Sequence, residues 1–133
     1  HFKRINDTHG HAAGDAVLRH FGLLATATLR TGDYVGRVGG EEFAVLFPDL
    51  RSDAVMEVAD RLLDSVRRTP CAHAGSTISY TFSAGVANWI PGESLQAFFE
   101  RADRKLYAAK ARGRNGIVGP GGDGDRQPLP ATA

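Results

Sequence analysis

The sequence predicts an α/β domain in which a sheet is covered by helices, and three observations carry that prediction. Apolar residues recur at helical spacing in three separate stretches, and period-two alternation marks strand-like runs between them. The order helix, helix, strand, strand, helix, strand, helix, strand interleaves the two kinds. With 133 residues and 42% hydrophobic content, the chain suits one domain with a sizeable core. Sixteen Lys and Arg against 15 Asp and Glu leave a net charge of +1. No global field therefore draws the chain to nucleic acid or to an anionic membrane, and an anionic ligand must be held by local groups.

Each element has its own signal. A short first helix is expected from Phe2 to Thr8, ending at Gly10. From Ala12 to Arg30 the residues Val17, Leu18, Phe21, Leu24, Ala25 and Leu29 form one helical face, which Thr31-Gly32-Asp33 breaks. "YVGRV" and "EFAVLF" then flank Gly39-Gly40 as strands of a hairpin, with Glu41 and Glu42 at its tip. Val55, Val58, Ala59, Leu62, Leu63 and Val66 make a second face, with Ser52 or Asp53 as N-cap and Pro70 closing it. Between Thr77 and Val86, Ile78, Tyr80, Phe82, Ala84 and Val86 alternate with small or polar residues, the period of a half-buried strand, and Gly85 marks a bulge or a close approach. Leu95, Phe98, Phe99, Ala102, Leu106 and Ala109 form a third stripe, capped by Ser94 and ended by Gly113, before a short strand from Asn115 to Val118. The domain is thus residues 1–119. Residues 120–133, rich in Gly and Pro with few apolar side chains, read as a disordered tail.

Four clusters offer chemistry, each with a plainer alternative. Glu41 and Glu42 beside a Gly pair project two carboxylates from a turn that a ligand can approach, which suits Mg²⁺ with substrate phosphates; a solvated hairpin tip is the alternative. "FKRINDTHGHAAGD" places Lys3, Asn6, His11 and Asp15 around a glycine-bounded turn. Asn offers a donor and an acceptor, and a carboxylate accepts from guanine N1–H and its exocyclic amine, whereas helix capping by Asn6, Asp7 and Asp15 is the plain reading. His9 and His11 lack a nearby Cys or third His, which excludes zinc. "AKARGRNG" sets Lys110, Arg112 and Arg114 at a helix C-terminus, where cations suit the dipole or clamp a polyphosphate. In "RTGD", Arg30 and Asp33 form either a surface ion pair or a grip on guanine and phosphate. No GxxxxGK[ST] loop occurs.

In order, "FKRINDTHGHAAGD", "RTGD", "RVGGEEF", "TFSAGVA" and "ADRKLYAAKARGRNG" resemble the GGDEF domain family, the diguanylate cyclases, up to about Gly119. The resemblance implies a palm-like fold of the nucleotide cyclase type, with a central, mostly antiparallel sheet flanked by helices. It implies condensation of two GTP into cyclic di-GMP and two pyrophosphates, with Mg²⁺ or Mn²⁺ as cofactor and a homodimer for catalysis. Glu41 would be metal ligand and proton acceptor, with Glu42 near the metals. Asn6 and Asp15 would read guanine, and His11 would line the pocket. Phe2, Lys3, Gly39 and Gly40 would meet the phosphates, while Lys110 and Arg114 would hold the β- and γ-phosphates. Arg30, Asp33 and Arg61 would form a product-inhibition site. In the family an Asp-aliphatic-Asp strand precedes the position of Phe2, so the chain is expected to be a fragment without its first strand and one metal ligand, and inactive alone.

Two rivals stand beside the cyclase: a non-catalytic cyclic di-GMP receptor, and a structural dimerisation module. Intact "GGEEF", Asn6 and Asp15 favour the enzyme. The lone Cys71 and the lack of a long apolar run fit a cytoplasmic location, with an upstream sensory or receiver domain and membrane attachment left to the parent protein.

Overall fold

The computed structural model describes residues 2–120; the predicted tail lies, but for Pro120, outside the described residues. The chain divides into two compact units, of residues 2–49 with 64–80 and of residues 50–63 with 81–120.

In the first unit α1 (Phe2–His9) and α2 (His11–Thr28) form a helical hairpin. Its joint is Gly10, whose φ of 90° only glycine adopts readily. β1 (Tyr34–Arg37) pairs antiparallel with β2 (Phe43–Leu46), Arg37 opposite Phe43. The rings of Phe21 on α2 and Phe43 on β2 lie 4.9 Å apart, which seats the hairpin on the helix. A second hairpin, β3 (Cys71–His73) with β4 (Ser76–Ile78), turns at Ala74 and Gly75, both at positive φ. Cys71 and Ile78, paired across it, are buried against Ala13 and Val17 of α2. Beside them Tyr80 shares a 2.6 Å hydrogen bond with His20 Nδ1. Burial, and secondarily Cys71, pushes the Tyr80 hydroxyl up from its ordinary pKa, and burial lowers that of His20.

In the second unit β5 (Ser83–Gly85) and β6 (Gly116–Val118) are parallel, and α4 (Leu95–Ala111) is the helix of the crossover that parallel pairing requires. Ser94 caps α4 as the sequence predicts, its Oγ accepting from Ala97 N at 3.0 Å. Gly113, at φ 104°, ends the helix, and Arg114 N donates to Ala109 O. Glu93 is held below the usual carboxylate range by its hydrogen bond from Arg101. α3 (Ser52–Arg68) is shared between the units and buries Val55, Leu62, Leu63 and Val66 from the predicted face.

The α/β class with helices on mostly antiparallel strands holds, with two refinements. Strands pair in three two-stranded sheets among the described residues, two antiparallel and one parallel. The expected single strand from Thr77 to Val86 is two, β4 and β5, because the first half is drawn into a hairpin with Cys71–His73 while the second pairs with β6.

Candidate active site

The loop between β1 and β2 is built by its backbone. Glu42 O accepts from Val38 N at 2.9 Å and from Gly39 N at 3.4 Å, closing a five-residue loop from Val38 to Glu42. Arg37 Nε donates to Gly39 O at 3.2 Å and Gly40 O at 3.0 Å, so the guanidinium turns both carbonyls back toward the strand. Positive φ falls on other glycines, so Gly39 and Gly40 are not used for left-handed backbone. What they supply is open space: a Cβ on Gly40 would meet nothing within 4 Å, and one on Gly39 only Glu42 at 3.7 Å. Glu41 and Glu42 are both exposed on this frame.

The loop forms one side of a cavity of about 380 Å³, within the size range of small-molecule sites. Phe2, Asn6, His11 and Asp15 line it from the helical hairpin, and Arg37, Gly39, Gly40, Glu41 and Glu42 from the loop. The turn at Gly10, which folds α1 back on α2, is what brings Asn6 and Asp15 to one wall. Asn6 does not cap with its side chain: Oδ1 is buried without a hydrogen-bond partner, while its backbone oxygen accepts from Gly10 N at 2.8 Å. Asp15 and His11 present exposed side chains.

Other predicted residues stand elsewhere. Lys3 is exposed on α1 and is not among the lining residues. Lys110, in the last turn of α4, and Arg114 belong to the second unit, as does Arg61 on α3. Arg30 and Asp33 are joined in the first unit. Asp33 Oδ1 accepts from Arg30 Nε and Oδ2 from Arg30 N, both at 3.0 Å, and Arg30 Nη2 donates to Pro48 O at 2.6 Å. The Asp33 side chain is 1% exposed and that of Arg30 49%. The carboxylate is thus committed to orienting a guanidinium that still faces solvent.

A family model described as "Diguanylate cyclase, GGDEF domain" matches residues 1–116. The chain belongs to the GGDEF domain family. It is 43% identical over 115 residues to diguanylate cyclase DgcP of Pseudomonas aeruginosa, covering 86% of this chain but 17% of that protein. Among solved structures it resembles diguanylate cyclase SiaD of P. aeruginosa, in complex with its activator SiaC, with a TM-score of 0.84 and 39% identity over 89% of this chain and 45% of that one. It also resembles the GGDEF domain of DgcB from Caulobacter crescentus in complex with c-di-GMP, with a TM-score of 0.83 and 33% identity over 90% of this chain and 71% of that one.

For a GGDEF domain the donor set matters. Among the described residues no group of three His, Cys, Asp or Glu side chains converges to hold a metal ion. The adjacent Glu41 and Glu42 nonetheless fit Mg²⁺, which takes one or two carboxylates and completes its shell with substrate phosphates and water. Arg37 and Gly14 escaped the sequence reading. Arg37 was legible only as a strand residue two positions before the Gly pair, and Gly14 as a glycine inside a helical pattern. Among the described residues no helix is long and apolar enough to cross a membrane.

Proposed function

We propose that this GGDEF domain condenses two GTP into cyclic di-GMP with release of two pyrophosphates. The observation that carries the reading is one cavity in which Asn6, with a buried unpartnered oxygen, and Asp15 face the Glu41–Glu42 loop. Asn6 and Asp15 supply the acceptors that guanine's N1–H and amine require, and the amide of Asn6 adds donors for the base. Glu41 and Glu42 would hold Mg²⁺ or Mn²⁺, which when bound neutralises phosphate charge and lowers the pKa of a ribose hydroxyl. Glu41 takes the proton of the 3′-hydroxyl. The open backbone at Gly39 and Gly40, with Phe2 and Lys3, receives phosphate. One cavity holds one GTP, so two copies of the domain must face each other. A cytoplasmic setting and a partner sensory or receiver domain belong to the same reading.

Adenine lacks the N1–H and carries its amine where guanine has an oxygen, so base choice is the direct test. Calorimetric titration is expected to show GTP binding at least tenfold tighter than ATP, since an unmet buried polar group separates analogues strongly. Equal affinities would sink the cyclase reading.

The geometry of Arg30 favours a second, inhibitory site for the product, with Asp33 holding the Arg30 fork in place. Because this contact needs no metal, the chain is expected to bind cyclic di-GMP in EDTA, and Arg30→Ala to weaken it by about tenfold or more. Equal binding by the two proteins would remove the site.

A further inference from the structure

Gly14 is buried inside α2, where glycine is a poorer helix former than alanine. Its backbone is ordinary, positive φ being confined to other glycines, so no turn explains it. Its neighbours do. A Cβ at Gly14 would fall 1.9 Å from Asn6 Oδ1, 3.0 Å from Asn6 Cγ and 3.1 Å from Phe2 Cζ. The Asn6 amide therefore lies directly on the bare backbone of α2, in the space that any other residue would fill. That same Oδ1 is buried with no hydrogen-bond partner, and Asn6 and Phe2 both line the cavity. A helix-weakening glycine and an orphaned acceptor thus meet at one point, and each alone is unfavourable to folding. A slot that holds the amide in one fixed orientation beside the cavity accounts for both.

We infer that Gly14 is a positioning residue for base recognition: its missing side chain is the slot that fixes the orientation of the Asn6 amide beside the cavity, and with it the choice of nucleobase. The base preference rests on the GTP reading above; the slot itself does not. Of the atoms an added methyl would strike, Asn6 Oδ1 is the nearest and belongs to the end of a side chain, so Asn6 must turn away before the helices part.

The test is a double-mutant cycle of Gly14→Ala and Asn6→Ala in the 133-residue chain. In nucleotide-free protein labelled with ¹⁵N, Gly14→Ala is expected to shift the Asn6 side-chain amide resonances, identified by their loss in Asn6→Ala. It should also lower GTP affinity at least tenfold and shrink the GTP-to-ATP ratio. In the Asn6→Ala background the same substitution should change neither. An unmoved Asn6 amide, or a further loss of GTP affinity in that background, overturns the inference. Should Gly14→Ala alone unfold the chain, recovery of folding in the double variant supports the slot and continued unfolding overturns it. A wild-type chain without GTP preference would remove the cyclase reading, while the amide shift would still decide the slot.

Discussion

Glu41→Gln is expected to reduce cyclic di-GMP formation by on the order of 10³-fold or more while leaving the fold intact. The assay follows cyclic di-GMP formed from GTP in the presence of Mg²⁺. Glutamine keeps the size of the side chain and removes both the negative charge and the ability to take a proton. The loop does not depend on that charge: it is closed by the Glu42 carbonyl and by Arg37 on the carbonyls of Gly39 and Gly40. Glu41 itself is exposed, and exposed substitutions of this kind shift stability by about 0.5 kcal/mol or less. Loss of product at an unchanged melting temperature is the supporting result. Turnover near the wild-type rate would refute the role of Glu41, and a collapse in melting temperature would show that the loop needs its carboxylate.

What could be read from the sequence follows the range of the interactions involved. The helical stripes and the strands around Gly39-Gly40 depend on periodicity within each segment, and α2, β1, β2 and α4 fall within a few residues of their expected bounds. Hairpin β3–β4 was not legible because its turn is Ala74-Gly75, not one of the Asn-Gly or Asp-Gly pairs that announce such turns. The carboxylate loop and the Asn6–Asp15 pair could be nominated from residue types, but capping and solvation explained them equally well. Packing adds what residue types lack: Asn6 Oδ1 is buried without a capping hydrogen bond, while Glu41 and Glu42 are exposed. Asp33 shows the converse: "RTGD" offers a free carboxylate on paper, and the structure commits both oxygens to Arg30. Arg37 acts on carbonyl oxygens, which carry no sequence signature at all.

Gly85 was legible as a close approach, and its geometry sets the largest stability effect expected of the chain. It ends β5 opposite Val118, with ordinary backbone, so alanine is conformationally permitted there. Space is what is lacking: a Cβ would lie 2.3 Å from Ala102 O, 2.3 Å from Leu106 N and 2.8 Å from Lys105 C. All three are backbone atoms of α4, which cannot rotate aside as a side-chain end can, so the helix must lift from the strand. Ala108 and Ala109, which pack with Val118, would lift with it. Overpacking of this kind costs about 1–3 kcal/mol, and rigid neighbours put Gly85→Ala at the upper end. In a domain of this size that lowers the melting temperature by roughly 10 °C. Gly116→Ala, on the paired strand, is the control, because its Cβ meets only Arg114 O at an ordinary 3.6 Å. Thermal unfolding of the two variants is expected to separate them clearly. Equal melting temperatures would mean that α4 does not rest on the bare backbone of β5, and would remove the close approach from the account of this fold.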